Sequence, residues 1–154
     1  MNILEKDLEE IIFTTDNEKL RDRGLSILGK KYRQLRIGNY GVADIVTVVR
    51  EGRILHITVY ELKKDKAGIS AFLQCLRYAK GIREYVNYRN FSGFVEIRMV
   101  LIGREIDTVS DYIFLDDFME NIINYSYSYN FEGISFNYES GYKLTESGFK
   151  NKLS

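Results

Sequence analysis

Two short pieces of the sequence carry residue types that can do chemistry together. One is Gly41-Val42-Ala43-Asp44-Ile45; the other is Glu61-Leu62-Lys63, with sixteen residues between Asp44 and Glu61. Two converging carboxylates repel each other unless a cation sits between them, and a pair of hard oxygen ligands completed by water is what Mg²⁺ or Mn²⁺ takes. A lysine beside them can hold or polarise the water that attacks a phosphorus atom, while the cation neutralises charge developing on the phosphate oxygens. Leu62 points to the opposite face, into the core, and offers its backbone carbonyl as a further metal ligand.

Such a pair works only if two strands present it on one face. The spacing predicts strands over Lys31 to Ile37, Val42 to Arg50 and Arg53 to Lys63, with Gly38-Asn39-Tyr40-Gly41 as the first turn and Glu51-Gly52 as a tight hairpin. With that loop Arg50 faces Arg53 and Asp44 lies opposite Val59. Period-two alternation then puts Asp44, Val59, Glu61 and Lys63 on one face, with Asp44 and Glu61 as diagonal neighbours. A bulge at Gly52 would shift the register by one and break that parity.

The remaining elements follow from periodicity. Leu4, Leu8, Ile11 and Ile12 predict an amphipathic helix over about 3 to 14, with Glu5, Lys6, Glu9 and Glu10 off the core stripe. A short helix is expected around Asn17 to Arg23. Phe72, Cys75, Leu76, Ala79, Ile82 and Val86 predict a helix over about 69 to 86, leading into an apolar strand from Phe94 to Ile102; a helix feeding a buried strand implies a crossover and a mixed sheet. A further helix is expected over about 108 to 124. The alternation Tyr125-Ser126-Tyr127-Ser128-Tyr129 opens antiparallel strands reaching Leu144, turning at Glu132-Gly133 and Ser140-Gly141.

Composition bounds the classes open to such a chain. Its 154 residues, 45% hydrophobic and 29% charged, suit one globular domain, and the absence of proline excludes proline-rich linkers. No apolar run approaches the roughly 20 residues of a spanning helix, and the acid-bearing start Met1-Asn2-Ile3-Leu4-Glu5-Lys6-Asp7 argues against a signal peptide, so a soluble, cytoplasmic protein is expected. The lone Cys75 excludes an internal disulfide and is expected to pack as a small hydrophobe. Net charge is zero, but its distribution is not: seven bases stand against one acid from Lys19 to Arg36, five against one from Lys63 to Lys80, and one against nine acids from Glu105 to Glu146. One basic face is what a phosphate backbone selects.

The order Glu5, Asp44, Glu61-Leu62-Lys63 and Gln74-Cys75-Leu76-Arg77-Tyr78 resembles the PD-(D/E)xK nucleases of the RecB-like type. In that pattern an acid on the first helix precedes a strand-borne aspartate, an E-x-K on the next strand and a helix carrying Q-x-x-x-Y. The likeness is greatest to the catalytic domain of the NucS/EndoMS endonucleases, through Glu61 to Tyr78 and through Tyr32-Arg33 before Gly41-Val42-Ala43-Asp44. It covers about 3 to 103. The separate N-terminal DNA-binding and dimerisation domain of those enzymes, and any match for the tyrosine-rich tail, are missing from it; the stretch after the first helix is longer, and the motif's proline position is Ala43.

The resemblance implies an α/β, restriction-endonuclease-like αβββαβ core, a mixed central sheet flanked by helices, with residues from about 104 to 154 adding a small C-terminal β tail. It implies a Mg²⁺- or Mn²⁺-dependent deoxyribonuclease acting in DNA repair, recombination or mobile-element DNA processing. Glu5, Asp44, Glu61, Lys63, Gln74 and Tyr78 would form the catalytic set, and Asp44, Glu61, the Leu62 carbonyl and Glu5, through water, would hold the metal. Lys30, Lys31, Arg33, Lys64, Lys66 and Arg77 are the candidate DNA contacts.

Each residue has a plainer reading. Asp44 could serve a strand-entry turn, Glu61 and Lys63 a surface ion pair, Glu5 a solvated helix face in competition with Glu9, and Gln74 and Tyr78 a side-chain network. The lysines could be solvated charges, the tail aromatics strand packing rather than base stacking, and His56 a structural residue. The rival classes are a nuclease-like fold used as a DNA-binding or protein-interaction module and a nuclease subunit of a larger assembly; homodimerisation is open.

Overall fold

Spacing of apolar residues accounts for both layers that sandwich the sheet. The computed structural model describes residues 4–112 and 121–141. Helix α1 (Glu5–Thr14) buries Leu8 and Ile12, four apart on one face, and α2 (Asn17–Asp22) adds Leu20. On the other side α3 (Ile69–Tyr88) turns Phe72, Cys75, Ala79 and Ile82 inward, as a 3.6-residue period requires.

Between them lie β1 (Lys30–Arg36), β2 (Val42–Glu51), β3 (Ile54–Leu62), β5 (Phe94–Gly103), β7 (Ile122–Asn130) and β8 (Gly133–Gly141), in the spatial order β1-β2-β3-β5-β7-β8. The β1–β2, β2–β3 and β7–β8 pairs are antiparallel; β3–β5 and β5–β7 are parallel. The protein is thus a mixed α/β structure around a six-stranded mixed sheet. A separate pair, β4 (Lys66–Ala67) and β6 (Glu105–Ile106), closes parallel beyond the ends of β3 and β5. Alternate residues feed the two cores: Ile45, Tyr60, Leu62, Val100 and Tyr125 pack toward α1 and α2, and Val46, Val59, Met99, Leu101 and Ile122 toward α3. Each fully buried aliphatic side chain contributes about 1.5–3 kcal/mol.

The hairpin loop is Gly52-Arg53, with Glu51 opposite Ile54 and Arg50 opposite Leu55, one residue later than the expected Glu51-Gly52. Gly52 has φ +60°, the left-handed conformation a two-residue hairpin needs. Because the pairing sum moves by two, parity survives. Asp44 and Glu61 keep a common face, and extending the register brings Asp44 directly opposite Glu61 rather than Val59.

Two other expectations change. Ile122–Asn124 opens β7 instead of closing a helix over 108–124, and residues 113–120 of that expected helix lie outside the described residues. The tyrosine-rich segment is not an appended tail: β7 and β8, antiparallel to each other as expected, are outer strands of the central sheet, and β7 lies parallel to β5. Tyr125, Tyr127 and Tyr129 share one face of β7; the first two are buried and Tyr129, beyond the stretch paired with β5, is exposed. The expected continuation from 142 to Leu144 lies outside the described residues. No helix among the described residues is long and apolar enough to cross a membrane.

A backbone contact ties β8 to α2: the Phe136 amide donates to the Arg23 carbonyl at 2.7 Å, and Gly24, at φ +100°, leaves no room for a side chain, since a Cβ would lie 2.0 Å from the Phe136 oxygen. Gly24→Ala therefore combines left-handed strain with a backbone clash. It should destabilise the protein by on the order of 2 kcal/mol in urea denaturation. An unchanged midpoint would mean that this contact is not maintained in solution.

Candidate active site

Asp44 is the third residue of β2 and Glu61 the penultimate residue of β3, so both stand where the α3 side of the sheet ends. Glu61 is buried, 6% exposed, which removes the surface-ion-pair reading for its carboxylate. Lys63 Nζ lies 3.6 Å from Glu61 Oε1, while Glu61 Oε2 is buried with no hydrogen-bond partner. Asp44 Oδ2 accepts a hydrogen bond from the Leu62 amide at 3.0 Å, locking the β2 carboxylate against the peptide that follows Glu61. Leu62 itself is buried in the α1-side core, as alternation predicts.

Burial and then the Asp44 charge push the Glu61 carboxyl up to about 8, against the opposing pull of Lys63. Burial also raises Asp44; the Leu62 amide lowers it, and the Glu9 and Glu5 carboxylates raise it further. Cys75, on the buried face of α3, is a small core residue whose thiol is pushed well up by burial and by the charges of Glu61 and Asp44.

The helix residues brace this pair. Tyr78 donates to the Val42 carbonyl at 2.8 Å and receives Gln74 Nε2 at 2.7 Å; Arg77 Nη1 reaches Gln74 Oε1 at 3.4 Å. Gly41 lies against both side chains: a Cβ there would meet the Tyr78 ring at 3.3 Å and Gln74 Nε2 at 3.4 Å. Gln74 and Tyr78 thus anchor the start of β2, two residues before Asp44. Burial raises the Tyr78 phenol to about 12, so it stays a donor at neutral pH.

Of the α1 acids, Glu5 and Glu9 divide. Glu5 is exposed and its Oε1 accepts from the Lys64 amide at 3.3 Å. Glu9, expected off the core stripe, is buried, and both its oxygens are engaged, by Arg33 Nε at 2.9 Å and Gln34 Nε2 at 2.6 Å. Adjacent strand residues ordinarily point to opposite faces. Gln34 reaches the same carboxylate as Arg33 because it sits at φ +49°, unpaired, where the β1 register would put it opposite Asp44. The helical period of α1 gave no sign of Glu9's burial; the signal lay in Arg33-Gln34, a distant partner.

Among the candidate DNA contacts, Lys31 donates to the Ile12 carbonyl at 2.9 Å and to the Thr15 carbonyl, and Arg33 pairs with Glu9 and Glu10, so both side chains hold α1 to β1. Lys30 is exposed and lies 5.1 Å from the Tyr32 ring centroid; Lys64, Lys66 and Arg77 are exposed. His56 is buried between Glu51 and Glu96, at 3.7 and 3.4 Å, as a structural residue would be. A cavity of about 800 Å³ lies further along α3, over Leu35, Val48, Ile57, Ile82 and Tyr85, and neither carboxylate lines it.

For a divalent cation the donor set fits. Mg²⁺ keeps several waters and binds through one or two carboxylates, and a buried, unpartnered carboxylate oxygen facing a second acid is the kind of group a cation satisfies. Among the described residues no group of three or more His, Cys, Asp or Glu converges as a metal site, so Asp44 and Glu61 would be the side-chain ligands, with Glu5 acting from outside. Comparison of the chain with family models, curated proteins and solved structures finds no match.

The raised Glu61 carboxyl has a stability consequence. The folded protein keeps a proton that the unfolded chain, with an ordinary glutamate near 4.3, has released. Stability should therefore fall as pH rises from about 4.3 toward about 8 and level off above it. Glu61→Gln should flatten that slope and, without metal, exceed wild type at pH 8 by on the order of 1–3 kcal/mol in urea denaturation. A variant that follows the wild-type pH profile would place Glu61 in a solvated setting.

Proposed function

We propose that the protein is a Mg²⁺- or Mn²⁺-dependent deoxyribonuclease of restriction-endonuclease-like fold. The observation that carries this reading is the Asp44–Glu61 pair on neighbouring strands, Glu61 buried and Asp44 half-buried, with Lys63 beside it and one Glu61 oxygen unpartnered. Its place agrees with a general rule of parallel sheets, since it lies at the carboxyl end of β3, the strand that runs parallel to β5. The order of elements, helix, three antiparallel strands, helix, parallel strand, supports the fold reading.

In this reading Asp44 and Glu61 hold the cation, with the Leu62 carbonyl as a further ligand and Glu5 supporting it through water. A bound Mg²⁺ or Mn²⁺ supplies Lewis acidity, neutralising charge on the phosphate oxygens and lowering the pKa of water. Lys63 holds and orients the water for in-line attack, and its ammonium offsets negative charge at the phosphate. Gln74 and Tyr78 fix β2 so that Asp44 keeps its place. Lys30, Lys64, Lys66 and Arg77 are the exposed bases left to meet the DNA backbone, positioning it without reading sequence. The second reading, a nuclease-like binding module, is favoured by the lack of a three-acid group among the described residues; cleavage assays decide between them, and cleavage only with added partners would indicate a nuclease subunit.

Asp44→Asn and Glu61→Gln should each lower cleavage of plasmid or single-stranded DNA at least about 100-fold without loss of folding. Mg²⁺ or Mn²⁺ should support cutting, chelator should abolish it, and Ca²⁺, with its looser geometry, should support little. Normal cutting by either variant, or in chelator, would remove the pair from the chemistry.

DNA binding in Ca²⁺ should weaken with salt, and Lys64→Ala should reduce the slope of log affinity against log salt by about 0.9, one phosphate contact, across unrelated sequences. An unchanged slope would place Lys64 off the DNA path.

A further inference from the structure

We propose that Tyr127 is a positioning residue of the candidate active site, a role that rests on the nuclease reading above. β3 ends at Leu62, and beyond it the chain that carries Lys63 leaves the sheet. Its peptides are then held one by one. The Lys63 amide donates to the Ile102 carbonyl at 2.8 Å, and the Asp65 carbonyl accepts from the Arg104 and Glu105 amides at 2.6 and 3.2 Å. Lys64 between them is gripped at both ends: its amide by Glu5 Oε1 at 3.3 Å, its carbonyl by the Tyr127 hydroxyl at 2.6 Å.

Tyr127 comes from β7, on the far side of β5, and its ring is buried in the α1-side core with Leu8 and Leu62. Its hydroxyl is therefore delivered from a rigid strand, the condition for holding a group in fixed geometry. A turn of the Lys64 peptide would release Glu5 and displace Lys63 together, so one hydroxyl from the tyrosine-rich segment sets both. This gives that segment a task in the site, which the packing of Tyr125 and Tyr127 alone does not.

The test is Tyr127→Phe in the full chain, which keeps the ring and removes the hydroxyl. Tyr129→Phe, at an exposed position of the same strand, is the control. Amide exchange by NMR should accelerate about 10-fold or more at Lys64, with the central strands unchanged. Mn²⁺ binding should weaken about 3- to 10-fold, and cleavage should lose kcat by a larger factor than DNA affinity. Tyr129→Phe should match wild type throughout. Unchanged exchange at Lys64, or faster exchange with unaltered Mn²⁺ binding and kcat, overturns the proposal. A wild-type protein that neither binds Mn²⁺ nor cuts DNA defeats the function reading instead, and the exchange comparison alone then judges the clamp.

Discussion

Two carboxylates held together at the end of a sheet, one of them buried, form the constraint on which the rest of this structure turns. Burying an acid beside another is costly unless something compensates. Here the compensation is incomplete: the Leu62 amide serves Asp44 and Lys63 serves one oxygen of Glu61, leaving the other unpartnered. A protein that needed only a stable sheet end would do better with two apolar residues. On the proposed function, the arrangement is a place kept ready for a cation.

The surroundings work to hold that place without neutralising it. α3 packs Cys75 beneath the acids and fastens β2 through Tyr78 and Gln74. On the other side Glu9 is paired with the Arg33 guanidinium and hydrogen-bonded by Gln34, which keeps a third acid from adding its full repulsion to Asp44. That contact requires Gln34 in a left-handed conformation, a strain of roughly 1–3 kcal/mol for a residue other than glycine. The strain falls where β1 would have paired with Asp44, so the backbone gives way beside the site and the carboxylate geometry is kept.

Much of this was legible in the sequence because hydropathy reports faces. The spans of α1, α3 and the first four long strands follow from periods of 3.6 and 2, and Asp44 and Glu61 fall on a common face even though the hairpin loop is one residue later than expected, since a pairing shift of two preserves parity. What hydropathy does not report is the partner. Ile122-Ile123 fits a helix or a strand equally, and only pairing with Met99 and Val100 makes it β7. Lys31 and Arg33 read as candidate DNA contacts, yet the carbonyls ending α1 and the Glu9 carboxylate hold them. Tyr127 read as strand packing, and its hydroxyl finds Lys64 across 63 positions of sequence.

The central claim, that Asp44 and Glu61 form one divalent-cation site, is tested most directly by titrating Mn²⁺ into the protein and following free Mn²⁺ by electron paramagnetic resonance. The account predicts saturable binding that is lost in both Asp44→Asn and Glu61→Gln while their folds persist. Binding that survives both substitutions, or a wild-type protein that binds no Mn²⁺, would contradict it.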